Sequence, residues 1–167
     1  MDNTYVIFSS DHGEMLGDFG LYAKFVAYEA SLRVPLIVAG PGIPEGQVSE
    51  AIVELIDVNP TICELAGLES QRDIDAETFA PVLRGEETDH RTETVSVIEN
   101  WRCIRTRDYK LIQNYNDLFE LYDLREDPNE LRNVADQRPE VRDEMLGRLR
   151  ERFHGSRPLS SGMPIRI

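Results

Sequence analysis

The sequence predicts an α/β protein in two parts. The closing portion of an α/β sheet domain occupies residues 1–88, a small antiparallel sheet packed with a C-terminal helix occupies 89–154, and a loose tail runs from 155 to 167. Three observations carry this reading. Two short continuous apolar runs, YVIF and PLIVAG, stand in the first part. Evenly spaced strand-like segments fill residues 94–124. Val141, Met145, Leu149 and Phe153 then recur every four residues, the stripe of an amphipathic helix.

The elements follow in order. Residues 4–9 and 35–40 are β-prone runs without alternation, which suits strands covered on both faces in a parallel sheet. Residues 10–24 are glycine-spaced and read as a loop, and 25–32 as the start of a short helix. DVNPTICELAG, 57–67, reads as a helix with Asp57 as its cap, Pro60 in its first turn and Gly67 at its end. A second short helix covers 76–84, and EETDHRTE is a polar linker. Strands are expected at 94–99, 101–107, 109–114 and 119–124, with turns at Arg107–Asp108 and Asn116–Asp117, and a helix at 139–153. The first part is incomplete on physical grounds: two strands with little helix to cover them leave bare edges and need further sheet.

Composition narrows the function. The net charge is −13, from 31 acidic and 18 basic residues, so a phosphate-rich nucleic acid would be repelled. No apolar run approaches the roughly 20 residues that span a bilayer, and MDNTYVIF carries no basic leader or cleavage pattern. The chain is read as soluble, with its compartment open. Lys24 and Lys110 are its only lysines, and an acid-rich, lysine-poor surface suits either a salt-adapted cytoplasm or an ordinary acidic protein. Cys63 and Cys103 lie in no metal-ligand spacing and read as buried free thiols.

The chemistry concentrates in SSDHGEMLGDFGLYAK, residues 9–24. Asp11 and His12 fall just past a strand's carboxyl end, where open α/β sheets hold ligands. A carboxylate beside an imidazole can ligate a divalent cation if other groups complete the sphere; the plainer alternative is a turn-capping Asp11 and a surface His12. Lys24 could set a point charge on an anionic oxygen, or be solvated. Arg33 could do the same or pair with a carboxylate, the pairing being favoured. Glu14 and Asp18 are expected to be solvated, Glu14 having an arginine partner as its alternative, and His90 and His154 to lie on the surface.

These residues carry a resemblance. SDHGEMLGD…G…K followed by E-x-S-x-R-V-P-L-I is similar to the C-terminal half of the sulfatases, in the alkaline phosphatase superfamily. VELIDVNPTICELAGL, FAPVLRG, CIRTRDYKLI and ELYDLREDPNELRNVAD resemble later blocks of that family in order, so the likeness runs from residue 3 to about 153. The resemblance implies an alkaline-phosphatase-like sheet domain and a sulfate ester substrate. It further implies that Asp11 and His12 ligate a divalent metal, calcium in most members, and that Lys24 binds the sulfate group and supports the leaving oxygen. The family's nucleophile is a formylglycine made in a C/S-x-P-x-R motif of the N-terminal half. Neither Cys63, followed by Glu-Leu, nor Cys103, followed by Ile-Arg, stands in such a motif. The expectation is therefore a sulfatase part that is inactive alone, its N-terminal half supplied elsewhere, as a separate chain for instance. Two alternatives remain: part of a phosphonate monoester or phosphodiester hydrolase of the same superfamily, and a non-catalytic binding module.

Overall fold

The computed structural model describes residues 2–70, 74–115 and 118–153. The turn expected at Asn116–Asp117, His154 and the tail from Gly155 lie outside the described residues. By contacts the chain divides into two compact units, Met1–Asp11 with Val34–Thr94, and His12–Arg33 with Val95–Ile167.

In the first unit β1 (Val6–Ser9) pairs with β2 (Leu36–Ala39). The pair is antiparallel, with Val6 opposite Ala39 and Phe8 opposite Ile37, whereas the apolar runs suggested parallel neighbours. A continuous apolar run reports how much of a strand is apolar and says nothing of its partner's direction. Nor are both faces covered: Val6, Phe8 and Ile37, on one face, are exposed. Gly40 lies so close to Tyr5 that a Cβ there would meet the tyrosine ring.

The remainder of this unit is built around Asp57. A 3₁₀ turn at Leu55–Asp57 leads into α2 (Val58–Leu65), and the short α3 (Ala80–Leu83) follows later. Asp57 does not cap α2 as the sequence suggested. Its fully buried carboxylate accepts from the backbone N–H of Glu54 (3.0 Å) and of Glu77 (2.9 Å), and from Arg91 Nε (2.8 Å) and Nη2 (2.5 Å). His90, expected on the surface, is buried beside it, with Nε2 3.1 Å from Asp57 Oδ2 and its ring edge-on to Phe79. Thr61 extends the lock, donating to the Asp57 carbonyl (2.7 Å) and accepting from the Phe79 N–H (3.0 Å). Burial would raise the Asp57 carboxyl, but the Arg91 bonds and the two backbone N–H groups outweigh it and hold it below its usual range.

The second unit contains the antiparallel meander. β3 (Glu93–Ile98), β4 (Trp101–Thr106), β5 (Tyr109–Asn114) and β6 (Leu118–Asp123) lie in sequence order, within a residue or two of expectation. Ile104 pairs with Leu111 and Leu111 with Leu121, placing all three on one face. That face meets Met145, Leu146 and Leu149 of α4 (Pro139–Arg152), with Val141 and Phe153 at the margin of the core. Pro139 opens α4, where a missing N–H costs nothing.

The other face of the meander is buried as well. Trp101, Cys103, Ile112 and Tyr122 pack with Ala27, and Tyr28 and Leu32 join them. The covering segment is the stretch that ends in α1 (Glu29–Leu32). Burial on both faces explains why CIRT and KLIQ do not alternate cleanly. Cys103 is a buried thiol, pushed up to about 12 by burial, whereas Cys63 is only partly buried; neither forms a disulfide. Among the described residues no helix is long and apolar enough to cross a membrane.

Candidate functional site

β1 ends at Ser9, and Ser10 and Asp11 follow it directly. Ser10 Oγ donates to Asp11 Oδ1 at 3.4 Å on an exposed stretch. Asp11 is the last residue of the first unit before the chain passes to the second, which His12 opens.

From His12 the chain makes a compact loop that returns at Lys24. Met15, 1% exposed, anchors it from below, and the Met15 N–H donates to the Ala23 carbonyl (3.1 Å). Glu14 is exposed, as expected, and its Oε1 also accepts the Ala23 N–H, bracketing the loop. Within the loop the Gly17 N–H reaches the Leu21 carbonyl (2.9 Å), and a 3₁₀ turn spans Asp18–Gly20. The tightness has a cost. Leu16, Phe19 and Ala23 hold φ of 49°, 55° and 67°, in the left-handed region that disfavours side chains by on the order of 1 kcal/mol or more each. Phe19 is stacked on Tyr28 with ring centroids 4.4 Å apart, which helps to hold it there.

The result is that His12 and Lys24, twelve residues apart, meet side chain to side chain: Lys24 Nζ contacts His12 Nε2. The other ring nitrogen lies 2.7 Å from the Gly13 carbonyl oxygen. A carbonyl can only accept, so Nδ1 carries the proton and Nε2 presents a lone pair, to which the Lys24 ammonium donates. The same lone pair is the one a divalent cation takes when the second nitrogen is tied to a carbonyl. Asp11, the neighbouring residue, offers carboxylate oxygens. Among the described residues no group of three or more His, Cys, Asp and Glu side chains could hold a metal ion. The donors present therefore fit part of a coordination sphere and not the whole of one.

Sequence reasoning missed what supports this loop. Lys110, fully buried on β5, lies 2.8 Å from Glu130 Oε1 and 3.1 Å from Glu29 Oε1; Arg105 Nε is 3.3 Å from the same Glu29 oxygen. The Glu29 N–H donates to Glu130 Oε2 (2.7 Å), tying the start of α1 to the segment after β6. Burial pushes Glu29 up, but Lys110 and Arg105 outweigh it and leave its carboxyl below the usual range. For Glu130 burial wins, and its carboxyl is raised. One signal was available: a lysine between the apolar residues of YKLI in a chain with only two lysines.

Known proteins share this architecture. The family described as N-sulphoglucosamine sulphohydrolase, C-terminal, matches residues 17–157. Arylsulfatase K of Xenopus laevis is 34% identical over 90% of this chain, which covers 31% of that protein. A solved structure of a protein in complex with its substrate D-glucosamine-2-N,6-O-disulfate superimposes with a TM-score of 0.82 at 33% identity, over 90% of this chain and 34% of its own. Phosphonate monoester hydrolase of Agrobacterium radiobacter superimposes with a TM-score of 0.78 at 30% identity, over 90% and 36%. The chain thus spans about a third of the length of the relatives it matches. A family match over residues 17–157, joined to a shared fold, shows that this chain belongs to the sulfatases of the alkaline phosphatase superfamily and corresponds to their C-terminal part.

Proposed function

We propose that this chain forms one wall of a sulfate ester hydrolase site. Asp11 and His12 supply ligands to a divalent cation, calcium, and Lys24 binds the sulfate group and steadies the leaving oxygen. The observation that carries the reading is the His12–Lys24 contact together with the tautomer set by the Gly13 carbonyl. It brings an imidazole whose Nδ1 is tied to a carbonyl against a cationic donor that holds its Nε2 lone pair, which the lysine gives up when a cation is bound. When bound, the cation would supply positive charge to an anionic oxygen. The residues of this chain do the rest of the work on this side. His12 offers Nε2 in the unprotonated form, Asp11 offers oxygen, and Lys24 carries a fixed ammonium that stabilises charge developing on a sulfate oxygen.

In this reading the attacking group, a formylglycine, and the remaining metal ligands come from a further N-terminal portion, and the chain alone does not turn over substrate. The test is direct. The purified chain should leave 4-nitrophenyl sulfate intact, while inorganic sulfate should perturb the Lys24 side-chain signals in an NMR titration, an effect lost in Lys24→Ala. Hydrolysis by the chain unaided would overturn the division of labour, and sulfate indifferent to Lys24 would overturn its role. A second reading is favoured by the likeness to phosphonate monoester hydrolase. Under it, methylphosphonate would outcompete sulfate in the same titration.

A further inference from the structure

The sulfatase-like block EASLRVPLI contributes no residue to the site proposed above, yet Ser31 within it is 1% exposed and touches the loop at two places. Its hydroxyl donates to the Lys24 carbonyl (2.6 Å). Its own carbonyl accepts the Gly13 N–H (2.8 Å). One buried residue thus bonds the backbone at Lys24 and the backbone next to His12, the two points at which the loop leaves and rejoins the site. The approach at Gly13 is too close for any side chain, since a Cβ there would run into the Ala30 carbonyl oxygen. Ser31 is itself fixed. Its N–H bonds the Tyr28 carbonyl (2.9 Å), and α1 is pinned to the meander through Glu29, Lys110 and Glu130.

We infer that Ser31 is a positioning residue that sets the spacing of His12 and Lys24 by holding both ends of the intervening loop against α1. This inference rests on the proposed roles of His12 and Lys24 for its consequence, though not for its geometry. The loop is internally strained at Leu16, Phe19 and Ala23, so it needs external bonds to stay closed. The bond from the Ser31 hydroxyl fixes the Lys24 end, and the Ser31 carbonyl fixes the Gly13 end. Losing the hydroxyl leaves the Lys24 carbonyl without this donor and frees the lysine from a set distance to the imidazole.

The test compares Ser31→Ala, Ser31→Thr and Lys24→Ala in the full chain, by residue-resolved amide exchange and by titration with inorganic sulfate. Ser31→Ala should speed exchange at Met15 and Ala23 at least tenfold, leave Leu111 and Leu121 of the sheet unchanged, and weaken sulfate binding at least fivefold. Ser31→Thr, which keeps the hydroxyl, should restore both. A uniform rise in exchange across sheet and loop means a merely structural serine and overturns the inference. So does unchanged exchange at Met15 and Ala23, and so does failure of Ser31→Thr to fold, which would make the position one of packing alone. If sulfate binding is indifferent to Lys24→Ala while Ser31→Ala still opens the loop, the clamp stands and the sulfate role of Lys24 falls.

Discussion

In the unit made of His12–Arg33 and Val95–Ile167, the meander is covered on both faces, by α4 on one and by the stretch ending in α1 on the other. In the unit made of Met1–Asp11 and Val34–Thr94, Val6, Phe8 and Ile37 stand 45%, 59% and 61% exposed on one face of a two-stranded ribbon. The first of these has an apolar interior with a buried ion-pair network on one side. The other is organised around the polar lock at Asp57, with Phe79, Ala80 and Ile52 among its buried apolar residues. The difference shows two ways of giving a segment a definite structure. Apolar layers do it without direction, and a saturated carboxylate does it through directed bonds.

The heaviest loss of stability is expected at Lys110. Lys110→Met leaves the buried Glu130 without its cation and Glu29 with Arg105 alone, and should destabilise the meander unit by about 3–5 kcal/mol. Urea unfolding followed by Trp101 fluorescence reads this directly. Adding Glu130→Gln should recover part of the loss. No loss from Lys110→Met would mean that the network is dispensable and the apolar layers suffice.

Asp57→Ala is the matching test in the other unit. It leaves the Glu54 and Glu77 N–H groups and Arg91 without their acceptor, for an expected loss of about 1–3 kcal/mol. Exchange should accelerate around Thr61 and Phe79 and stay constant at Leu111. The same lock has a pH signature. Its folded carboxyl titrates below the usual value of 3.8, so its contribution is complete above that value and disappears as pH falls through the lower, folded one. Glu29 behaves with the same sign, while Glu130, raised by burial, opposes it. Acid melts of the wild type should therefore steepen below about pH 4, and Asp57→Asn should flatten that slope.

The smallest effect is expected on the exposed ribbon face. Phe8→Ser and Ile37→Thr should each change the stability of this chain by no more than about 0.5 kcal/mol. A large loss at either position would show that this face is already part of a core and would erase the contrast between the units.

Much was legible in the sequence because the signals were local. The four strands of the meander and α4 follow from β-prone runs, turn residues and a four-residue apolar repeat, all of which act within a few residues. The position of Asp11 and His12 just past a strand end also follows from local pattern. Other features were hidden because they depend on residues far apart in the chain. Asp57 reads as a helix cap in its own neighbourhood, and only the arrival of Glu77, His90 and Arg91 makes it a lock. His90 reads as a surface residue for the same reason. Ser31 is an unremarkable serine until Lys24 and Gly13 are brought to it.

The sequence by itself determined the element types, the family membership and the residue types at the strand end, since each is encoded in short-range order. Tertiary structure alone decided the antiparallel partner of β1, the covering of the second sheet face by the α1 segment, and the burial of Lys110 among carboxylates. The reason is physical: propensity and periodicity act along the chain, whereas strand direction, desolvation and charge pairing are settled by whichever distant segment packs there.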